Sequence, residues 1–192
     1  MKVFDFDNTI YNGECSLDFF LYCLKRKKSL MKYLPMVTAK ALKYRTSKIG
    51  MDEVNEFVES MLVVFFDNCE NLDMLVSDFW GINAKKLKPV ILDKITSGDA
   101  IISASPRFLL SGIAKELGTS NLLCTEVDMK NKKISFLCYG ENKVLAYREK
   151  FGRMEIDEFY TDNQNDAPLM AISKEVYLVS GNEITKHNLG NL

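Results

Sequence analysis

Histidine is nearly missing from this chain: His187 is the only one among 192 residues. A metal site built on several imidazoles is therefore excluded. A Ser-His-Asp or Cys-His nucleophile would have to use that one residue, which sits in a polar, Asn- and Gly-rich tail where a surface side chain is the ordinary reading. Cysteine occurs five times, as Cys15, Cys23, Cys69, Cys124 and Cys138, an odd count without a C-x-x-C pair. These read as scattered reduced thiols, not as a disulfide frame or a zinc site. Long hydrophobic runs are also lacking, and the longest, Met61 to Phe66, is far too short to span a bilayer. No basic segment followed by an apolar stretch opens the chain, so no signal peptide is expected and a cytoplasmic location follows. With a net charge of −1, no global field draws the protein to nucleic acid. Carboxylates, hydroxyls and lysine are left to carry any chemistry.

The 47% hydrophobic content supports one well-packed α/β domain with a modest insertion. Residues 2–6 form an apolar strand that ends on acids. From Ser16 to Leu87 the periodicity is helical and strand signals are almost absent. Ser16 is placed to cap a helix through Leu17, Phe20, Leu21 and Leu24, and Ser29 to open another that Pro35 starts, kinks or breaks. Further helices are expected over Met51 to Phe66 and Leu72 to Trp80. After Pro89 helices and strands alternate: strands at Ala100–Ile102, Glu158–Thr161 and Val176–Val179, helices at Val90–Thr96, Phe108–Leu117, Lys143–Phe151 and Ala167–Ile172. A hairpin is expected from Leu122–Val127 and Ile134–Cys138. Such alternation predicts a doubly wound, mostly parallel Rossmann-like sheet. The expected core is 1–13 with 88–192, and the inserted helical unit is 14–87.

Ligands of such sheets bind beyond the carboxyl ends of the strands. The polar residues at those ends are Asp5, Asp7 and Thr9, then Ser103 and Ser105, then Asp162 and Asp166. Taken singly each has an ordinary reading: an acidic turn, a helix cap, or, for Lys143, a solvated lysine at a helix start. Together they mean more. Carboxylates converging at one sheet edge raise each other's pKa unless a cation offsets them. Mg²⁺ suits a site with two or three carboxylate or carbonyl ligands and remaining waters. A serine and a lysine beside it suit a phosphoryl group, whose transfer needs charge neutralisation and alignment above all.

The order of these residues resembles the haloacid dehalogenase superfamily, with D-x-D-x-T at Asp5 to Thr9, the strand serine at Ser103, the lysine at Lys143 and the D-x-x-x-D motif at Asp162 and Asp166. Ser103-Ala104-Ser105-Pro106 and the text around Asp162 are similar to the subgroup of phosphoserine phosphatase and phosphatidylglycerophosphatase C, which carries a helical cap after the first strand. That resemblance implies a Mg²⁺-dependent phosphomonoester hydrolase working through a phospho-aspartate. Asp5 would be nucleophile and metal ligand. Asp7 would protonate the leaving oxygen and then activate water, its backbone carbonyl also holding the metal. Asp162 would be the third ligand, and Asp166 would anchor the outer shell or Lys143. Ser103 and Lys143 would hold the phosphoryl oxygens, with Lys150 on the same helix as the alternative lysine.

One departure bears on substrate. Phosphoserine phosphatases usually carry two glycines after the second-motif serine, where this chain has Ala104-Ser105-Pro106, nearer the phosphatidylglycerophosphatase-like pattern. Glu14, in contrast, stands where phosphoserine phosphatases keep a glutamate for the substrate's amino group; it is equally a carboxylate favoured near a helix N-terminus. Lys25 to Lys48 holds nine Lys/Arg and no acid, while Met51 to Phe79 holds eight Asp/Glu and no base. Paired cap helices explain this, and so does a basic face for an anionic lipid surface. The substrate is accordingly a small-molecule or lipid-linked phosphate. The alternatives are a receiver-like phosphate-binding module, against which Asp7 and the insertion count, and a phosphotransferase with the same aspartyl chemistry.

Overall fold

The computed structural model of the chain describes residues 1–35, 38–39, 53, 56, 59–60 and 71–187. Seven strands form one sheet: β1 (Lys2–Asp5), β2 (Ala100–Pro106), β3 (Asn121–Asp128), β4 (Lys133–Phe136), β5 (Ile156–Thr161), β6 (Ser173–Ser180) and β7 (Glu183–His187). They lie in the order β4-β3-β2-β1-β5-β6-β7. The five inner strands run parallel, and β4 and β7 pair antiparallel at the two edges. β1 sits centrally between β2 and β5, so the winding reverses direction beside it. That reversal opens a crevice at the carboxyl ends of β1 and β5.

The inner strands are apolar at successive positions because both faces of the sheet are covered. Side chains alternate between the faces. Phe4, Ile101 and Tyr160 point into one core, and Val3, Ile102 and Phe159 into the other. The first core is closed by α1 (Cys15–Arg26), α2 (Leu72–Asn83) and α4 (Arg107–Glu116), through residues such as Phe19, Phe79 and Leu110. The second is closed by α5 (Glu141–Phe151) and α6 (Ala167–Met170), through Tyr147 and Leu169. A short α3 (Pro89–Leu92) leads back into the core. Phe4 stacks on Tyr160 at 4.8 Å and Tyr160 on Tyr177 at 4.9 Å, an aromatic row across β1, β5 and β6. Each fully buried large side chain contributes about 1.5–3 kcal/mol. Trp80 ties α2 to α4, its indole N–H donating to the Leu109 carbonyl at 2.7 Å.

Several sequence expectations change. Ser16 does not cap α1: the N-cap is Glu14, with no side-chain cap bond, and the Ser16 hydroxyl instead meets Ser105 at 2.8 Å. Strand β2 continues through Pro106 with an irregular register between Ser103 and Pro106, rather than ending at Ile102. The second hairpin strand stops at Phe136, short of Cys138. The segment from Lys28 to Tyr33 is a 3₁₀ helix, and α-helical residues begin at Leu34 and Pro35, so Pro35 starts a helix instead of lying inside one opened at Ser29. β7 was not expected, since only Ile184 in it packs on the core. An antiparallel edge strand is held by backbone bonds, here after a turn with Gly181 at φ 58°, and needs little apolar signal. Within the helix expected over Met51 to Phe66, Glu53, Glu56, Glu59 and Ser60 are described and helical; its other residues and most of the basic stretch to Lys48 lie outside the described residues. Of the opposed charges, Arg26 and Asp78 pair at 3.8 Å on an exposed surface. No helix among the described residues is long and apolar enough to cross a membrane.

Candidate active site

β1 delivers Asp5 at its last position, and the chain then turns sharply. The amides of Thr9, Ile10 and Tyr11 all point at the Phe6 carbonyl, and Asn8 takes a left-handed conformation at φ 55°. Asn is among the few residues that adopt it readily. The turn is tied on two sides. The Asn8 side-chain amide donates to Glu14 at 2.7 Å, and the buried Lys88 ammonium donates to the Asn8 carbonyl. Burial lowers the pKa of Lys88, partly offset by Asp162. Nothing in the sequence around Lys88 marked it, because a lysine between Leu87 and Pro89 reads as a solvated linker residue.

Two polar clusters result. In the first, the Lys143 ammonium lies between Asp5 at 2.8 Å and Asp166 at 2.6 Å, all three buried. Thr161 donates to the other Asp166 oxygen at 2.7 Å, and Thr9 makes a longer contact of 3.4 Å with Asp5. In the second, Asp7 accepts the Cys15 amide at 2.6 Å, the Ser105 hydroxyl at 2.7 Å and, more weakly, the Ser103 hydroxyl at 3.4 Å. β1 has ended by then, so Asp7 belongs to the turn that follows it.

A pocket with about 430 Å³ of empty space, part of it open solvent, is lined by Asp5, Asp7, Glu14, Lys143, Asp162 and Asp166, among others. Six of the seven site residues expected from the sequence thus meet there. The seventh, Ser103, is completely buried and turned to Asp7 and the Ser105 amide. Lys150, the alternative lysine, is exposed and lies over the Phe151 ring.

The pocket is over-supplied with negative charge. Burial raises the Asp5 pKa well above the usual carboxylate value; Lys143 opposes the rise, and Asp166 and Asp162 reinforce it. Burial also raises Asp7, against the Cys15 and Ser105 hydrogen bonds. Asp162 is pushed up to about 6 by desolvation and by Asp166, although its place on the open rim lets water screen part of that penalty. For Lys143, burial pulls the pKa down, but Asp166 and Asp5 outweigh it and hold the ammonium charged. Among the described residues lining the pocket, one ammonium faces five carboxylates, which leaves the site short of positive charge. The donor set fits a hard divalent cation held by carboxylate and carbonyl oxygens with waters completing the shell. Among the described residues, no three Asp, Glu, His or Cys side chains close on a metal by themselves. A site with only two carboxylate ligands does not require them to.

A sequence model of the haloacid dehalogenase-like hydrolases matches residues 3–171. No curated protein matches the chain. Among solved structures, the chain is similar to a protein of unknown function from Bordetella pertussis Tohama I, with 18% identity, 92% of this chain and 87% of that one covered, and a TM-score of 0.76. It is also similar to a phosphoserine phosphohydrolase-like protein from Francisella tularensis subsp. tularensis SCHU S4, with 17% identity, 92% and 86% covered, and a TM-score of 0.54. A probable phosphoserine phosphatase from Vibrio cholerae aligns with 10% identity over 91% of this chain and 55% of that one, at a TM-score of 0.61. At such identities the likeness is one of fold.

Proposed function

The chain belongs to the haloacid dehalogenase-like hydrolases, and from that premise we propose that it is a Mg²⁺-dependent phosphatase whose Asp5 becomes transiently phosphorylated. The observation that carries this reading is the Lys143 ammonium bridging Asp5 and Asp166 in the pocket shared with Asp7 and Asp162. Asp5 and Asp162, with the Asp7 carbonyl, would hold Mg²⁺, which supplies positive charge to the phosphoryl oxygens when bound.

An Asp5 carboxylate oxygen attacks phosphorus as the ester P–O bond breaks, and Asp7 gives its proton to the departing oxygen. Asp7, now ionised, takes a proton from water; the hydroxide attacks phosphorus, phosphate leaves, and Asp5 is restored. One carboxylate thus acts as nucleophile while the other alternates between acid and base. The raised pKa of Asp7 suits the acid role, since a proton is retained closer to neutral pH. Lys143 keeps Asp5 oriented and meets the incoming phosphoryl group, and Asp166, fixed by Thr161, holds Lys143 in place. Ser103 supports this arrangement from below, through Asp7. The inserted segment 14–87 would cover the pocket as a cap. The substrate class is a phosphomonoester of a small molecule or lipid, and Glu14 gives the rim a negative group suited to a substrate ammonium. Asp5→Asn should abolish phosphate release while leaving the thermal melt in place, and EDTA should silence the wild type until Mg²⁺ is restored. Substantial turnover by Asp5→Asn would refute the nucleophile assignment.

A further inference from the structure

The Ser105 hydroxyl is buried and has three polar neighbours. It lies 2.7 Å from Asp7 Oδ2, 2.8 Å from Ser16 Oγ and 3.3 Å from Cys15 Sγ, while its own amide donates to Ser103 Oγ at 3.0 Å. A hydroxyl has one proton to give and two lone pairs. In the ionised form that follows its proton transfer, Asp7 only accepts, so the Ser105 proton then goes to Asp7. Ser16 must then donate to Ser105, and the Cys15 thiol donates to the remaining lone pair. Every hydrogen-bonding capacity of this hydroxyl is used, which fixes its direction.

Cys15 and Ser16 are the first two residues of α1, and the Cys15 amide also donates to Asp7 Oδ1 at 2.6 Å. Both carboxylate oxygens of Asp7 are therefore held from the start of the inserted segment: one directly, the other through Ser105 on β2. From this geometry we infer that Ser105 is a positioning residue that transmits the seating of α1 to the orientation of Asp7. The inference rests on Asp7 serving as the acid and base of the proposed reaction. It also accounts for a serine where the phosphoserine phosphatase pattern has glycine, since a glycine has no hydroxyl to aim Asp7.

The test separates proton delivery from general damage. Protonation matters most when the departing oxygen is basic, so kcat/KM for phosphorylation of Asp5 is compared for phenyl phosphate and p-nitrophenyl phosphate. Ser105→Ala is expected to lose about tenfold to hundredfold on the phenyl ester and only about threefold or less on the nitrophenyl ester, a fraction of what general acids contribute. Ser16→Ala, which leaves Ser105 in place, should show the same split on a smaller scale and answers the question if Ser105→Ala does not fold. Parallel losses on both esters in the folded variants would overturn the inference. Failure of the wild type to release phosphate from either ester with Mg²⁺ would instead overturn the reading of the site itself.

Discussion

Replacing Lys143 by Met keeps most of the side-chain volume and removes the one ammonium between Asp5 and Asp166. Lys143, Asp5 and Asp166 are 4%, 7% and 5% exposed, so water cannot take over the lost contacts at 2.8 and 2.6 Å. Stranding a buried charge by removing its partner costs about 3–5 kcal/mol, a large share of the roughly 5–15 kcal/mol that holds a domain folded. The penalty is relieved by proton uptake. Burial already raises the Asp5 pKa, and Asp162 is pushed up to about 6. The native variant therefore binds more protons than its unfolded chain above the usual carboxylate range, and its stability declines as pH rises through the native values. Urea unfolding in EDTA should show the full deficit at pH 8 and a smaller one at pH 5. Lys150→Met is the control, because an exposed lysine changes stability by no more than about 0.5 kcal/mol. If Lys143→Met matched the wild type at pH 8, the lysine would not be compensating these carboxylates.

Mg²⁺ should raise the melting midpoint of the wild type more at pH 8 than at pH 5, because at the lower value a proton occupies Asp162, whose pKa is about 6. Asp162→Asn should shrink the pH 8 shift, and an equal shift at both values in the wild type would count against carboxylate ligation. Thr161→Val removes the 2.7 Å bond to the buried Asp166 carboxylate and should cost about 1.5–3 kcal/mol in urea unfolding. A change under about 0.5 kcal/mol would mean that Asp166 is held by Lys143 alone.

Much of this architecture was legible because the same residues carry both fold and chemistry. Val3-Phe4, Ile101-Ile102 and Phe159-Tyr160 announce strands covered on both faces, and their following residues must then gather at one edge. Asp5, Asp162 and Asp166 follow from that rule, whereas Lys143, on a helix, was singled out through the family resemblance. What stayed hidden depends on atoms meeting across the fold. Ser16 looked like a cap because sequence spacing cannot reveal a hydroxyl 89 residues away. Lys88 and Thr161 lie next to the site with no local pattern to single them out, and their partners Asn8 and Asp166 are set by the turn and by the end of β5. β7 was missed for a different reason: backbone pairing at a sheet edge leaves almost no side-chain period to read.

The central claim is that Asp5 carries the phosphoryl group between two half-reactions. Wild-type protein mixed with p-nitrophenyl phosphate and Mg²⁺, quenched in acid within milliseconds and digested for mass spectrometry, should yield one phosphoryl group on the peptide containing Asp5, labile to mild base. Turnover with that peptide unmodified, or with the label on Ser103 or Ser105, would contradict it.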